Sequence, residues 1–143
     1  MWRVTVKAEV RPTEDFEKVK KALLNFFTPE RIEHVKEGDY DYIVGYAKSL
    51  ESLSKLHEAL RRERILDAAR KIFKSNTVGN LLIFSINKQA AYRGRVSFVT
   101  TPAESPLGAI TFIVEYEDIW KVIDWLAPKT ERGKPLWEHE VPK

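Results

Sequence analysis

The run Leu50-Glu51-Ser52-Leu53-Ser54-Lys55-Leu56-His57-Glu58-Ala59-Leu60-Arg61-Arg62-Glu63-Arg64-Ile65-Leu66-Asp67-Ala68-Ala69-Arg70-Lys71-Ile72-Phe73 reads as helix throughout, yet its apolar residues change sides. At about 100° per residue, Leu50, Leu53, Leu56 and Leu60 form one stripe. Ile65, Leu66, Ala69, Ile72 and Phe73 form another, roughly 160° away around the axis. The switch falls at Arg61-Arg62-Glu63-Arg64. Either the helix breaks there, or a continuous helix packs its halves on different bodies, such as a neighbouring subunit. Ser49 stands at the N-cap, and the pattern reaches about Asn76.

Upstream, Trp2, Val4, Val6, Ala8 and Val10 alternate with polar residues, which predicts a strand with one dry face. Pro12 ends it, and Thr13 stands as cap to a helix carrying Phe16, Val19, Leu23 and Phe26. Residues 31–37 and 40–47 form a hairpin around Gly38-Asp39, with Tyr40, Tyr42, Val44 and Tyr46 on one face. Such a row serves as a stacking platform for bases or, more commonly, as a half-buried aromatic ladder under a helix.

Downstream, Val78-Gly79-Asn80 turns into a strand over 81–86, and Asn87 to Gly94 is a polar connection with a helical turn at Gln89-Ala90-Ala91. Strands follow over 95–99 and 109–116, joined by a turn-rich segment over 101–108. Asp118 stands as cap to a last helix built on Ile119, Val122, Ile123 and Leu126, which Pro128 stops. The tail over 129–143 reads as irregular, docking through Leu136 and Trp137. The element order gives an α+β protein, a mostly antiparallel sheet with helices on one face and a split βαβ order in the first half. One domain over 1–143 accommodates it, with room for two small lobes hinged near 61–64.

Composition narrows the function classes. The chain has no cysteine, so disulfides and thiolate chemistry are excluded and a reducing, cytoplasmic setting is expected. No apolar run approaches the roughly 20 residues of a membrane span. Charged residues are 31% of the chain, with one methionine and one glutamine, a bias expected of proteins from hot environments. His34, His57 and His139 lack metal-ligand spacing, and the six glycines form no phosphate-cradling loop. Glu104-Ser105-Pro106 lacks the glycine-flanked elbow of a serine nucleophile. No catalytic residue, metal or small-molecule cofactor is expected.

Charge is uneven along the chain. Residues 50–75 carry 7 positive and 4 negative groups, 76–99 carry 3 and 0, and 100–143 carry 5 and 8. Arg61, Arg62, Arg64, Arg70, Lys71 and Lys74 on the long helical run, with Lys88, Arg93 and Arg95 after it, are the candidate phosphate contacts. The competing account is a solvated helix face in which Glu58 pairs with Arg62 and Asp67 with Lys71. Arg93-Gly94-Arg95-Val96-Ser97-Phe98-Val99 approaches the strand of an RNA-recognition motif, but Phe98 comes one residue late and turns to the wrong face.

Four blocks carry a resemblance to a known family: Arg64-Ile65-Leu66-Asp67-Ala68-Ala69-Arg70, Asn87-Lys88-Gln89-Ala90-Ala91, Glu104-Ser105-Pro106-Leu107-Gly108 and Ile123-Asp124-Trp125-Leu126-Ala127-Pro128. Together with Leu50-Glu51-Ser52-Leu53, they make the chain similar to the archaeal uncharacterised protein family 0201, often labelled RNA-binding or exosome-subunit-like. The resemblance implies a fold similar to the ribosomal protein that binds 5S ribosomal RNA, assembled as a homodimer. It marks Asp67, Asn87 and Gln89 as family-motif positions, with Asp67 available to pair with Arg70. Two readings result. One is a non-enzymatic protein that binds structured RNA. The other is a homodimeric scaffold whose basic middle meets acidic surface on another chain.

Overall fold

The computed structural model describes residues 2–101 and 108–143. Its elements are β1 (Val4–Val10), α1 (Phe16–Leu24), β2 (Arg31–Glu37), β3 (Tyr40–Ala47), a 3₁₀ turn (Leu50–Leu53), α2 (Ser54–Arg62) and α3 (Leu66–Ser75). There follow β4 (Thr77–Val78), β5 (Leu81–Asn87), α4 (Lys88–Tyr92), β6 (Phe98–Val99), β7 (Ala109–Glu115), α5 (Ile119–Leu126), β8 (Thr130–Glu131) and β9 (Lys134–Pro135). The Glu104-Ser105-Pro106 segment lies outside the described residues.

The main sheet runs β2-β3-β1-β7-β5-β4, with β6 also on β5, and all its pairings are antiparallel. This is the α+β arrangement that the alternation predicts, with one difference in order. A split βαβ unit would set β5 beside β1; instead β7 lies between them. Ile110, Phe112 and Val114 of β7 are wholly buried, so this strand occupies the interior of the sheet and pairs on both sides.

The inward rows of β1, β7 and β5 meet α1, α2, α3 and α5 in one apolar cluster. Phe84 stacks on Phe112 at 4.8 Å, while Phe73 of α3 reaches Phe84 at 4.8 Å and Phe98 at 5.7 Å. Rings at these separations add to what their buried area contributes. Both hairpins of the sheet turn on two-residue loops, Gly38-Asp39 and Gly79-Asn80. Each begins with a glycine at positive φ (62° and 61°), a conformation that L side chains adopt only under strain.

The helical run breaks where its stripe changes sides. Ile65 N donates to Leu60 O at 3.1 Å and Arg64 N to Arg61 O at 3.1 Å, the paired bonds of a Schellman stop. Arg64 takes the left-handed position with φ 56°, where glycine is usual. The turn resets the helical phase, so both stripes face one core: Leu56 and Leu60 before it, Leu66, Ala69 and Phe73 after it.

Several local expectations are corrected. Asp15, not Thr13, caps α1, accepting from Glu17 N at 2.9 Å. Asp118 occupies the N-cap position of α5 without a side-chain bond. The strand expected over 95–99 contracts to β6, because Val96 N donates instead to the Glu63 carboxylate at 2.9 Å. The tyrosine row lies on the helix-free face of the sheet. Tyr46 stacks on Trp2 at 5.4 Å, and Lys7 sits 4.1 Å from the centre of the Tyr42 ring. The tail is not wholly irregular, since β8 and β9 pair, and it docks elsewhere than expected. Trp137 is 60% exposed, whereas Val141 packs on the core and Tyr116 Oη donates to Lys143 O at 2.7 Å.

Candidate nucleic-acid interface

The nine basic residues singled out by sequence divide by environment. Helix α5 stops at Pro128, and its last carbonyls need donors from outside the helix. Two arginines supply them. Arg61 Nη1 donates to Leu126 O at 2.9 Å and Nη2 to Trp125 O at 3.1 Å. Arg70 Nη1 donates to Ala127 O at 3.0 Å and to Asp124 Oδ1 at 2.8 Å. Arg61 also holds Glu138 of the tail in a two-bond fork, at 2.8 and 2.6 Å. Both guanidinium groups are therefore committed to closing a helix end and its tail. Two family-motif blocks, 64–70 and 123–128, meet at this contact. The Arg70–Asp124 pair replaces the local Asp67–Arg70 pair expected from sequence, and Asp67 instead accepts from Thr130 Oγ1.

Lys88 is likewise not a surface cation, being only 2% exposed. Its Nζ donates to Glu9 O at 2.6 Å and to Glu14 Oε1 at 2.7 Å, and Glu14 Oε1 accepts in addition from Arg11 N at 2.9 Å. Asn87 caps α4, its Oδ1 accepting from Ala90 N at 2.9 Å. A signal for this was present in the sequence. Lys88 continues the buried phase of Leu82, Phe84 and Ile86, so strand period rather than helix charge decides where it points.

The remaining six cations are accessible. Arg62, Arg64, Arg93 and Arg95 are exposed, and Arg62 Nη2 donates to Gly94 O at 3.2 Å. That bond ties the turn after α2 to the connection after α4, so two distant stretches of sequence meet at one edge. The intervening carboxylate, Glu63, is occupied by Val96 N, and Arg62 approaches it only to 4.0 Å. The i, i+4 pairs Glu58–Arg62 and Asp67–Lys71 do not form among the described residues. Lys71 and Lys74 are exposed on α3 and line a shallow depression with Asp67 and Ser75.

Sequence reasoning missed Lys18 and Lys21. Residues 1–49 balance at nine charges of each sign, which hides a local excess. In the fold, Lys21 Nζ lies 4.9 Å from the centre of the Tyr92 ring. Lys18 and Arg93 both line a cleft of about 410 Å³ between the start of α1 and α4. Asn25 Nδ2 fastens the two helices by donating to Ala91 O at 2.8 Å.

The histidines pack on rings: His34 on Phe16 at 4.8 Å, His57 on Trp125 at 4.9 Å and His139 near Trp137 at 6.1 Å. Burial pushes the His57 pKa below its ordinary value, and the Arg61 charge pushes it the same way, against smaller opposing effects of Glu138 and Glu58. The hydrogen bond from Arg61 holds the Glu138 carboxyl below the usual carboxylate range. A group whose folded pKa is lowered binds fewer protons folded than unfolded, so its stabilising effect is full above the unfolded pKa and declines below it. For His57 the loss begins near about pH 6.5, and for Glu138 near about 4.3. The urea midpoint should therefore fall as pH drops from about 7 to about 5. His57→Phe should flatten that interval, and a midpoint equally steep in both proteins would show that His57 is not its source.

Comparison with known proteins agrees with this architecture. Residues 3–116 match a family model described as RNA binding. Proteins of the UPF0201 family are 50% identical in Metallosphaera sedula, over all of this chain and 99% of the relative, and 51% identical in Saccharolobus solfataricus, over 99% and 98%. A crystal structure of the UPF0201 protein from Methanococcus jannaschii superposes with a TM-score of 0.82 at 37% identity, covering 93% of this chain and 98% of that one. A DUF54 protein from Sulfolobus solfataricus, at 16% identity and TM-score 0.61 over 87% and 96%, shares the fold. Fold and family match together define the class: an α+β protein with a mostly antiparallel sheet, matched by an RNA-binding family model. Within that class, the chain belongs to the UPF0201 family.

Proposed function

We propose that this chain is a non-enzymatic, cytoplasmic protein that binds structured RNA, contacting phosphates through Arg62, Arg64, Arg93 and Arg95. The observation that carries this reading is the Arg62–Gly94 bond, which gathers exposed guanidinium groups from two separate stretches. Arginines left in water beside one another attract a polyanion and release its counterions on contact. The RNA-binding description of the matched family model supports the same reading. Titrating a structured RNA hairpin with the parent and with a variant carrying glutamine at these four positions tests it. Weak affinity that the four changes leave unaltered removes the reading.

A second reading, a homodimer, is favoured by the helix-free face of the sheet. Across it, Ile83 pairs with Ile113, Ile113 with Thr5, and Thr5 with Tyr46, which carries Trp2. An apolar row of this kind, with Ile83 exposed, suits a second copy of the same face. Sedimentation should then give a dimer at low and high salt alike, and a monomer for Ile83→Lys. A monomeric parent at every salt concentration removes this second reading.

A further inference from the structure

We propose that the cleft between α1 and α4 seats one unpaired nucleotide of the bound RNA, with a preference for a base that carries an exocyclic amino group. This deepens the RNA reading and rests on it. The volume, about 410 Å³, lies within the range of roughly 300–1,000 Å³ usual for small-ligand sites. Val19 and Ala22, both buried in α1, give the cleft apolar lining, and Tyr92 adds a partly exposed ring. Such a surface suits the flat faces of a base.

Two cations, Lys18 and Arg93, line the same cleft and suit a phosphate. Arg93 also belongs to the exposed arginine cluster, so a strand lying along that cluster has a continuous route into the cleft. Gln89, exposed on α4, offers a donor and an acceptor to a base edge. The carboxylates decide which base. Glu14 and Asp15 stand in the lining, fixed respectively by Lys88 and by the N-cap bond to Glu17 N. They accept hydrogen bonds from the amino groups of adenine, cytosine or guanine, whereas the O4 of uracil is itself an acceptor. The same carboxylates oppose a bare anion at the α1 N-terminus, so the occupant is a nucleotide rather than free phosphate.

The test compares a fully paired RNA hairpin with hairpins carrying a single bulged adenosine or uridine. The parent should bind the bulged-adenosine hairpin about tenfold more tightly than the paired one, and the bulged-uridine hairpin should gain little. A Gln89→Ala, Tyr92→Ala variant should lose the adenosine preference and keep its affinity for the paired hairpin. Equal preference in parent and variant, or no preference in the parent, overturns the proposal while leaving general RNA binding intact. If no hairpin binds, the RNA reading fails by itself. Adenosine monophosphate, titrated while the backbone amides of Gln89 to Arg93 are followed by NMR, then decides the cleft separately. Localised shifts that the double variant lacks support a nucleotide site, and unmoved amides overturn it.

Discussion

A Lys88→Ala protein is expected to unfold at much lower urea than its parent, with a stability loss of about 3–5 kcal/mol. The ammonium is buried against the Glu14 carboxylate, whose side chain is only 11% exposed. Removing Lys88 leaves that carboxylate with the Arg11 amide but no counter-charge, and leaves Glu9 O without its donor. An orphaned buried charge is far more destabilising than the intact pair is stabilising. Since a whole domain of this size is typically stable by only about 5–15 kcal/mol, the change is large. Replacing both partners, as Lys88→Met with Glu14→Leu, should recover most of the loss, because neither charge then remains to be buried alone. Should the single alanine variant unfold within about 1 kcal/mol of the parent, the ion pair is not what joins β1, α1 and α4.

The four-arginine change has a different signature. With Arg62, Arg64, Arg93 and Arg95 all replaced by glutamine, the dependence of log affinity on log salt should become shallower by about 3–4. Affinity at low salt should fall roughly a hundredfold or more, because each lost phosphate contact also forfeits counterion release. Stability should barely move, since these side chains are exposed. Arg61→Gln and Arg70→Gln form the necessary contrast. They remove donors from the end of α5 and should lower the urea midpoint while leaving the salt slope of the folded protein unchanged. If all six changes shift the slope alike, the division between committed and accessible arginines is wrong.

That division marks where sequence reading stops. Alternation in 2–10 and 109–116 and the helical stripes of 16–26 and 119–126 were legible because each follows a local period. The break at 61–64 was legible for the same reason, as a phase jump. The helix caps were less so: Thr13 and Asp15 both have capping side chains two residues apart, and tertiary packing chooses between them. Lys88 was misread because its charge drew attention from its place in the buried phase of β5. Arg61 and Arg70 were misread because their partners, the α5 carbonyls and Glu138, lie 54 to 77 residues away, beyond any local pattern. The meeting of Arg62 with Gly94, across 32 residues, was equally out of reach, although the excess of positive charge in the middle of the chain pointed to both ends of it.

The two margins of the main sheet bear on how molecules of this protein can crowd without sticking. At one margin, β2 carries Arg31, Glu33, Lys36 and Glu37; at the other, β4 is only two residues long. Neither offers a long bare row of amides and carbonyls on which a foreign strand could lengthen the ladder. Runaway fibre growth by lateral strand addition is thereby disfavoured, even during brief fraying in hot solution.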